Sequence, residues 1–172
     1  LLPYDPEAAK KLLAEAGYPQ GFSVGLQCPN DRYVYDEALC VAMSSMLARV
    51  GIKTNLMIEP TPRWSVRLNS NDVSLYLVGH AGLPMADAYG LLKDVVHTRT
   101  QKEGSLNAGR YSNAKFDALL PQVAAEIDSA KRNALIEQAV ALERDDVSHV
   151  PLHQQVIPWA MRKNVTVVHR AD

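Results

Sequence analysis

Polar and aromatic residues that can hold a small solute follow three predicted strands, at the point where each strand ends. The three loops are Cys28–Arg32, Glu59–Trp64 and Gly79–Asp87. Because the carboxyl ends of parallel strands meet at one edge of an open α/β sheet, we predict that these loops form one ligand-facing surface. The donors, acceptors and rings expected there are Asn30, Arg32, Tyr33, Glu59, Arg63, Trp64, His80 and Asp87. We predict ligand contacts for Asn30, Arg32, Tyr33, Trp64, His80 and Asp87.

Five of these residues also have an ordinary structural interpretation. Trp64 has the size and apolarity of a core residue, and His80 can be a hydrogen-bonded loop histidine. Asp87 can cap a helix that begins beside it. Arg32 and Tyr33 can simply start the second helix. The sequence leaves both interpretations open.

Patterns typical of enzymes and metal sites are missing. The chain has no HExxH, Cys-x-x-Cys or GxSxG motif, and the run from Gly79 to Gly82 lacks the lysine of a phosphate-binding loop. His149 and His153 are four apart, but Pro151 argues against a helix there, and no third ligand is evident. We therefore predict no catalytic residues, no metal and no cofactor. An enzyme on an unrelated α/β fold is the alternative that measured turnover would favour.

Composition and charge exclude further classes. The 172 residues suit one domain, with 47% hydrophobic and 22% charged residues. The net charge is −1 and there is no basic stripe, so we predict no nucleic-acid partner. No apolar run approaches the roughly 18 residues of a membrane span. The start of the chain lacks the basic residues of a signal peptide, which in an excised lobe would lie upstream.

The only cysteines are Cys28, expected at the end of a strand, and Cys40, expected inside a helix. We interpret both as small buried hydrophobic residues, with a disulfide as the alternative. Two cysteines do not decide the compartment.

Alternating and helical hydrophobic patterns predict a βαβ core in the first half of the chain. Asp5 and Pro6 begin a helix that Gly17 ends. Strands are predicted over 22–28 and 52–58, with a crossover helix over 33–50 that places Leu39, Met43, Met46, Leu47 and Val50 on one face. A helix over 62–69 leads to a third strand over 73–79, which is apolar on both faces like a central parallel strand.

The second half is predicted to be mostly helical. The expected elements are a helix over about 85–96, a loop over 98–111, a helix capped by Ser112 and kinked or split by Pro121, a helix capped by Asp128 or Ser129, and an irregular strand over 150–161.

Five segments, taken in order, resemble one family. They are LLPYDPEAAKKLLAEAGYPQGF, RVGIKTNLMIE, VSLYLVGH, GRYSNAKFDALL and IDSAKRNALIEQAVALERDDVSHVPLHQQVIPWAMRKNV, and they cover most of residues 4–168. The chain is similar to the extracytoplasmic solute-binding proteins of peptide-type ABC transporters, the family 5 class that binds dipeptides and oligopeptides. These proteins are longer and have two lobes, so the resemblance implies a single α/β lobe over residues 1–172, excised near the carboxyl end.

The resemblance carries a fold and a set of roles. It implies one lobe of a two-lobed, class II periplasmic-binding-protein-like fold, a mixed sheet with a parallel βαβ core flanked by helices. Trp64 matches a family tryptophan that can cover the side of a bound solute. Gly79 is kept, but His80 stands where the family has tryptophan and Leu83 where it has the aspartate that receives a peptide's ammonium group. That role passes to Asp87, with Glu59 in reserve.

By this resemblance the chain belongs to the substrate-binding component of an ABC import system. Its expected ligand is a peptide or similar small polar solute, held between two lobes and delivered to a membrane permease. The alternative is another solute class on the same scaffold, such as an opine, an oligosaccharide or a metal chelate. The expected protein is a monomer, periplasmic or extracytoplasmic and membrane-associated, and a lone lobe should bind its solute weakly.

Overall fold

The computed structural model describes residues 3–70, 73–81, 87–155 and 160–167. The chain divides into two compact units, one of Leu1–Gly79 with Ala108–Arg110 and one of His80–Asn107 with Tyr111–Asp172. A single lobe over 1–172 stays a prediction. Leu83, the residue at the family's aspartate position, lies outside the described residues. No helix within the described ranges has the length and apolarity needed to cross a membrane.

The sheet of the first unit contains three parallel strands. They are β1 (Phe22–Pro29), β2 (Ile52–Glu59) and β3 (Leu75–Tyr76), in the spatial order β2-β1-β3. β1 and β2 run in register from the pair Phe22 and Ile52 to the pair Pro29 and Glu59. The parallel pairing confirms the predicted βαβ core, although every described strand pair is parallel where a mixed sheet was predicted.

The central position of the third strand was predicted wrongly. β3 has two residues and pairs only with β1 in the described sheet, so β1 occupies the centre. The segment around β3 is apolar on both faces because two hydrophobic clusters flank it. Leu77 packs with Leu26, Cys28 and Cys40, whereas Val73, Tyr76 and Val78 pack against Trp64, Leu68 and Ala108.

Helix α1, Pro6–Glu15, begins and ends as predicted. The Asp5 carboxylate accepts a hydrogen bond from the Ala8 amide at 2.9 Å, and Pro6 is the first helical residue. Gly17 has a φ of +91°, the left-handed conformation that favours glycine after a helix. No residue of α1 is buried, and Leu12 of its apolar stripe is 63% exposed.

Helix α2, Asp36–Arg49, lies between β1 and β2 in the chain and packs against both. It begins three residues after the predicted Tyr33. Met46, predicted on the buried face, is 52% exposed, whereas Cys40 is fully buried. The face of α2 that meets the sheet is therefore centred on Cys40. Met43 of the same helix, Tyr33 of the preceding loop, and Leu56 and Ile58 of β2 pack around it.

The interpretation of the two cysteines as unpaired residues was wrong. Cys28 in β1 and Cys40 in α2 form a disulfide, with their Cα atoms 6.5 Å apart. The residues are 12 apart in sequence, and the short β1–α2 loop brings the end of the strand beside the second turn of the helix. Spacing alone does not reveal this, because burial of free cysteines and of a disulfide produces the same apolar pattern.

Helix α3, Thr61–Asn69, confirms the helix predicted over 62–69. Trp64 and Leu68 lie one turn apart and are both buried, against Ala108 of the same unit. Pro60 is the N-cap residue and offers no side-chain hydrogen bond to the helix.

The second unit is helical. A short helix α4 (Tyr89–Leu91) continues into a π-helical turn (Leu92–Val96), and α5 (Ala114–Ala125) and α6 (Ser129–Asp146) follow. Asn113, not the predicted Ser112, caps α5, because its side chain accepts the amides of Lys115 and Phe116. The helix is not split at Pro121. Asp128 caps α6, one of the two predicted residues.

The predicted loop over 98–111 is organised by a buried amide. The fully buried Asn107 side chain donates to the carbonyl oxygens of His97 and Tyr111, at 3.0 and 2.8 Å, and accepts the Tyr111 amide at 3.0 Å. These bonds satisfy backbone groups that have no regular partner in a loop.

The strand predicted over 150–161 is wrong for its described residues, 150–155 and 160–161, which contain no strand. Val150 is 73% exposed and Leu152 is 47% exposed, so the apolar alternation does not bury one face there. Pro158 lies outside the described residues.

Candidate functional site

The loop between β1 and α2 is held by a buried carboxylate. Asp36, only 4% exposed, accepts the amides of Arg32 and Tyr33 through one oxygen, both at 3.0 Å, and the Glu37 amide through the other at 2.9 Å. Tyr35, at the start of α2, has a φ of +58°. The Cys28–Cys40 disulfide closes the same segment from its two ends. The backbone that carries Arg32 and Tyr33 is therefore fixed in place.

The side chains of Arg32, Tyr33 and Trp64 form a cluster. The Arg32 guanidinium carbon lies 5.4 Å from the Tyr33 ring centre and 5.5 Å from the Trp64 ring centre, within cation–π range. The two rings meet edge to face, with centres 6.5 Å apart. Arg32 Nε donates to the Tyr33 hydroxyl at 2.9 Å, and this hydroxyl donates to the Gly79 carbonyl at 3.3 Å. The predicted meeting of these three side chains is thus observed within one unit.

Gly79 is required for this placement. A methyl group added to its Cα would lie 2.8 Å from the nearest ring carbon of Tyr33. The Tyr33 ring therefore packs directly on the backbone at the end of the segment that follows β3. The glycine that the sequence shares with the family at this point has a steric explanation in this chain.

The charge of Arg32 is not neutralised by a neighbouring acid. In the described part of the first unit, no carboxylate oxygen lies within 4.0 Å of an Arg32 nitrogen, although Asp31 is the preceding residue. Arg32 is exposed, whereas Trp64 beneath it is 3% exposed and its indole nitrogen has no acceptor among the described residues. An exposed guanidinium held over two rings is a ready site for a carboxylate or another planar anion.

The acids near this cluster are engaged elsewhere. Asp31 accepts both the amide and the hydroxyl of Thr61, at 2.8 and 2.6 Å. Glu59, the reserve carboxylate for an ammonium group, forms a two-pronged ion pair with Arg67 at 2.5 and 3.1 Å. The hydrogen bond from Arg67 holds the pKa of Glu59 below its ordinary value. Both carboxylates are therefore ionised at neutral pH, and both are bound to residues of α3.

Asn30 lies beside a different feature from the Arg32 cluster. It lines an open depression of about 660 Å³ at the start of α2, whose other walls are Tyr33, Tyr35, Asp36, Glu37, Ala38, Val41 and Ala42. Tyr33 borders the depression and also contacts Arg32. Arg63, in the first turn of α3, is exposed.

His80 and Asp87 belong to the second unit and have partners there. His80 Nε2 lies 3.2 Å from an Asp94 oxygen. Asp87 accepts Arg132 Nε at 2.6 Å and the Tyr89 amide at 3.0 Å, and Arg132 also stacks on the Tyr89 ring. The hydrogen bond from Arg132 lowers the pKa of Asp87. Convergence of His80 and Asp87 with Arg32 stays a prediction.

Sequence reasoning missed Arg132. It lies 45 residues after Asp87, in α6, and nothing in its local pattern points to that partner. An ammonium group would have to share Asp87 with this guanidinium, which also donates to the Val123 carbonyl.

Ser148, His149 and Glu143 lie together but do not have the geometry of a catalytic relay. His149 Nδ1 lies 2.9 Å from the Ser148 hydroxyl and 3.4 Å from a Glu143 oxygen. Serine and acid therefore meet the same ring nitrogen, whereas a relay needs one on each. Burial lowers the pKa of His149. Across the described residues, no group of three or more His, Cys, Asp or Glu residues is placed to hold a metal ion.

Comparison with known proteins places the chain in a family. Residues 2–103 match the model of the bacterial extracellular solute-binding proteins, family 5, middle region. This match covers more than half of the sequence. The chain belongs to family 5 of the bacterial extracellular solute-binding proteins.

Individual members of family 5 are similar over nearly all of this chain. Heme-binding protein A of Haemophilus influenzae is 27% identical over 162 residues, 90% of this chain and 28% of the relative. The glutathione-binding protein GsiB of Escherichia coli K12 is 26% identical over 169 residues, 95% of this chain and 33% of the relative. The chain therefore spans about a third of the length of these family 5 relatives.

A solved family structure has the same fold. The PBP AgaA from A. tumefaciens R10, in complex with agropinic acid, is 28% identical with a TM-score of 0.67, over 80% of this chain and 27% of the other. This likeness confirms the predicted periplasmic-binding-protein-like fold class.

Proposed function

We propose that this chain is part of the substrate-binding component of an ABC importer and that it captures a small polar solute through an acidic group. The observation that carries the proposal is the Arg32 guanidinium, which lies exposed over the Tyr33 and Trp64 rings without a carboxylate partner in the described part of its unit. The function is capture and delivery to a membrane permease. The protein is extracytoplasmic, held at the membrane and monomeric, and it is not an enzyme.

The chemistry of the cluster selects an anion. A guanidinium presents its donors in a planar fork that matches a carboxylate. Among the described residues, Arg32 uses only its Nε as a side-chain donor, in the bond to the Tyr33 hydroxyl. The two rings hold the charge in place and exclude water from one face, which strengthens a charge-assisted hydrogen bond. Because Asp36 fixes the backbone, little loop entropy remains to be lost on binding.

The ligands named for the relatives agree with an acid-binding site. Glutathione, heme and agropinic acid differ in size and polarity, but each carries at least one carboxylate group. For this chain a peptide, or a similar solute with a free carboxylate, is the primary candidate. An opine is the second candidate, supported by the likeness to a protein in complex with agropinic acid.

The amine end of a peptide remains a separate part of the proposal. Asp87 is the carboxylate proposed to receive it, in competition with Arg132. In a two-lobed binding protein the closed form is stabilised by a solute that contacts both lobes. A chain that supplies a third of the length supplies part of those contacts, so we propose that it binds weakly alone.

The test is solute identification on the full-length protein purified from its host. Native mass spectrometry of the protein, followed by release of the bound molecule, should yield a compound with a free carboxylate. Calorimetric titration with that compound and with its amide or ester should show a clear loss of affinity when the acid is capped. A neutral bound solute, or equal affinity for the capped form, would contradict the proposal.

A further inference from the structure

We propose that Asp31 is a positioning residue: its carboxylate ties the loop that carries Arg32 to the first turn of α3, and so holds the guanidinium over Trp64. The inference rests on the proposed capture of an acidic solute by Arg32. It adds a residue that acts on solute binding through the position of the neighbouring Arg32.

The contact itself is a helix cap supplied from another element. One Asp31 oxygen accepts the Thr61 amide at 2.8 Å and the Thr61 hydroxyl at 2.6 Å, across 30 residues of sequence. The local N-cap, Pro60, makes no side-chain hydrogen bond to α3. Asp31 therefore satisfies a backbone donor at the start of the helix that would otherwise need water. The Thr61 hydroxyl holds the pKa of Asp31 below its ordinary value, so the acceptor is charged at neutral pH.

The position of this contact explains its effect on the site. Arg32 is the next residue in the chain after Asp31, and Trp64 is three residues after Thr61. A bond between Asp31 and Thr61 thus fixes the segment with the guanidinium against the helix with the ring. Asp36 and the disulfide fasten the same loop to α2 instead, so they do not set its distance from Trp64.

The same contact leaves Arg32 available. A carboxylate adjacent in sequence to an arginine can pair with it, but one oxygen of Asp31 is held by the amide and the hydroxyl of Thr61 in α3. This hold keeps the Asp31 carboxylate beside α3, and within the described part of the unit it forms no ion pair with Arg32 inside 4.0 Å. Release of Asp31 from Thr61 would loosen the cluster and would give Arg32 a competing internal anion.

The experiment compares Asp31→Ala with Asp5→Ala in the 172-residue chain. Asp5 is a matched control, because it is also exposed and also caps a helix, accepting the Ala8 amide at 2.9 Å, but it lies on α1. Both variants carry Trp159→Phe, so that Trp64 is the one fluorophore of its kind. The first readouts need no solute: the emission of Trp64 and the NMR resonance of the Arg32 Nε–H.

We expect Asp31→Ala to shift the Trp64 emission to longer wavelength and to move the Arg32 Nε–H resonance toward that of an unstructured arginine. Asp5→Ala should leave both signals in place although it loses a similar cap. Asp31→Asn, which keeps an acceptor oxygen, should restore most of both signals. Unchanged signals in Asp31→Ala, or equal changes in Asp5→Ala, would overturn the positioning role.

A binding arm separates this inference from the function on which it rests. With glutathione as the probe for the full-length protein, Asp31→Ala should raise the dissociation constant roughly five- to tenfold, the scale of one ordinary hydrogen bond, because the substitution acts on the position of Arg32 and leaves its charge in place. If Arg32→Gln leaves glutathione binding unchanged, the proposed use of Arg32 fails, whatever Asp31 does. If Arg32→Gln weakens binding and Asp31→Ala does not, only the positioning role is refuted.

Discussion

Removal of the Cys28–Cys40 disulfide should destabilise the first unit by about 3 kcal/mol. The cysteines are 12 residues apart, and the chain-entropy relation for a loop of that size gives a loss of about 3 kcal/mol when the cross-link is absent. The enclosed segment contains Arg32 and Tyr33, so the effect should reach the binding cluster. Both cysteines are fully buried, and the native protein should resist reductant until it unfolds.

The assay is urea unfolding of the chain followed by Trp64 emission, with Trp159 replaced by Phe. The oxidised protein should unfold at a midpoint about 1–2 M urea higher than protein reduced in denaturant and refolded with reductant present. Cys28→Ala with Cys40→Ala should lose slightly more than the reduced protein, because it also removes two buried sulfur atoms.

The reasoning fails if oxidised and reduced proteins unfold at the same midpoint. The interpretation of two unpaired buried cysteines would be restored by equal midpoints together with free thiols. The free thiols would be detected by alkylation of both cysteines in protein unfolded without reductant. A lower midpoint in the oxidised form would mean that the cross-link strains the end of β1.

Three further predictions concern single side chains. Asp36→Asn should cost about 2–3 kcal/mol of stability and weaken solute binding, because the Asp36 carboxylate accepts three amides. Chemical denaturation measures the stability and calorimetry measures the binding. A variant with unchanged stability and unchanged affinity would contradict this prediction. Because burial lowers the pKa of His149 below its ordinary 6.5, the unfolded chain binds a proton that the fold does not, so stability should fall as the pH drops below that value. His149→Gln should flatten the melting temperature between about pH 5 and pH 7, and an unchanged slope would refute the assignment. Asp87→Asn should cost about 1–2 kcal/mol of folding stability, because it removes the charged partner of Arg132, and Arg132→Gln should show a similar loss. If Asp87→Asn changes neither the unfolding midpoint nor the solute affinity, the proposed role of Asp87 is refuted.

Local patterns were enough to predict the βαβ core. β1, α2, β2 and α3 each carry their own periodicity, and Asp5, Gly17 and Asp128 mark helix ends within a few residues of sequence. β3 and the segment 150–161 are different, because their apolar runs have several uses. Apolar residues that pack between two clusters, as around β3, and apolar residues that are exposed, such as Val150 and Leu152, both produce a sequence pattern that resembles a strand.

Topology predicted that the loops with Arg32, Tyr33 and Trp64 lie at one edge of the sheet, since both loops leave carboxyl ends of adjacent parallel strands. The stacking of the guanidinium on the two rings was not predicted. What the sequence does not reveal is pairing between distant polar residues. Asp31 meets Thr61 across 30 residues and Asp87 meets Arg132 across 45. Such pairs depend on how elements are placed in space, and no period or cap signal records them.

The most direct test of solute capture through Arg32 is titration calorimetry of the full-length protein with its identified solute. Arg32→Gln removes the charge but keeps a polar side chain of similar length, and Arg49→Gln, at the exposed end of α2, is the matched control. We expect Arg32→Gln to lose about ten- to hundredfold in affinity, the scale of a charge-assisted pair, and Arg49→Gln to lose none. Equal affinity in wild type and Arg32→Gln would contradict solute capture through Arg32.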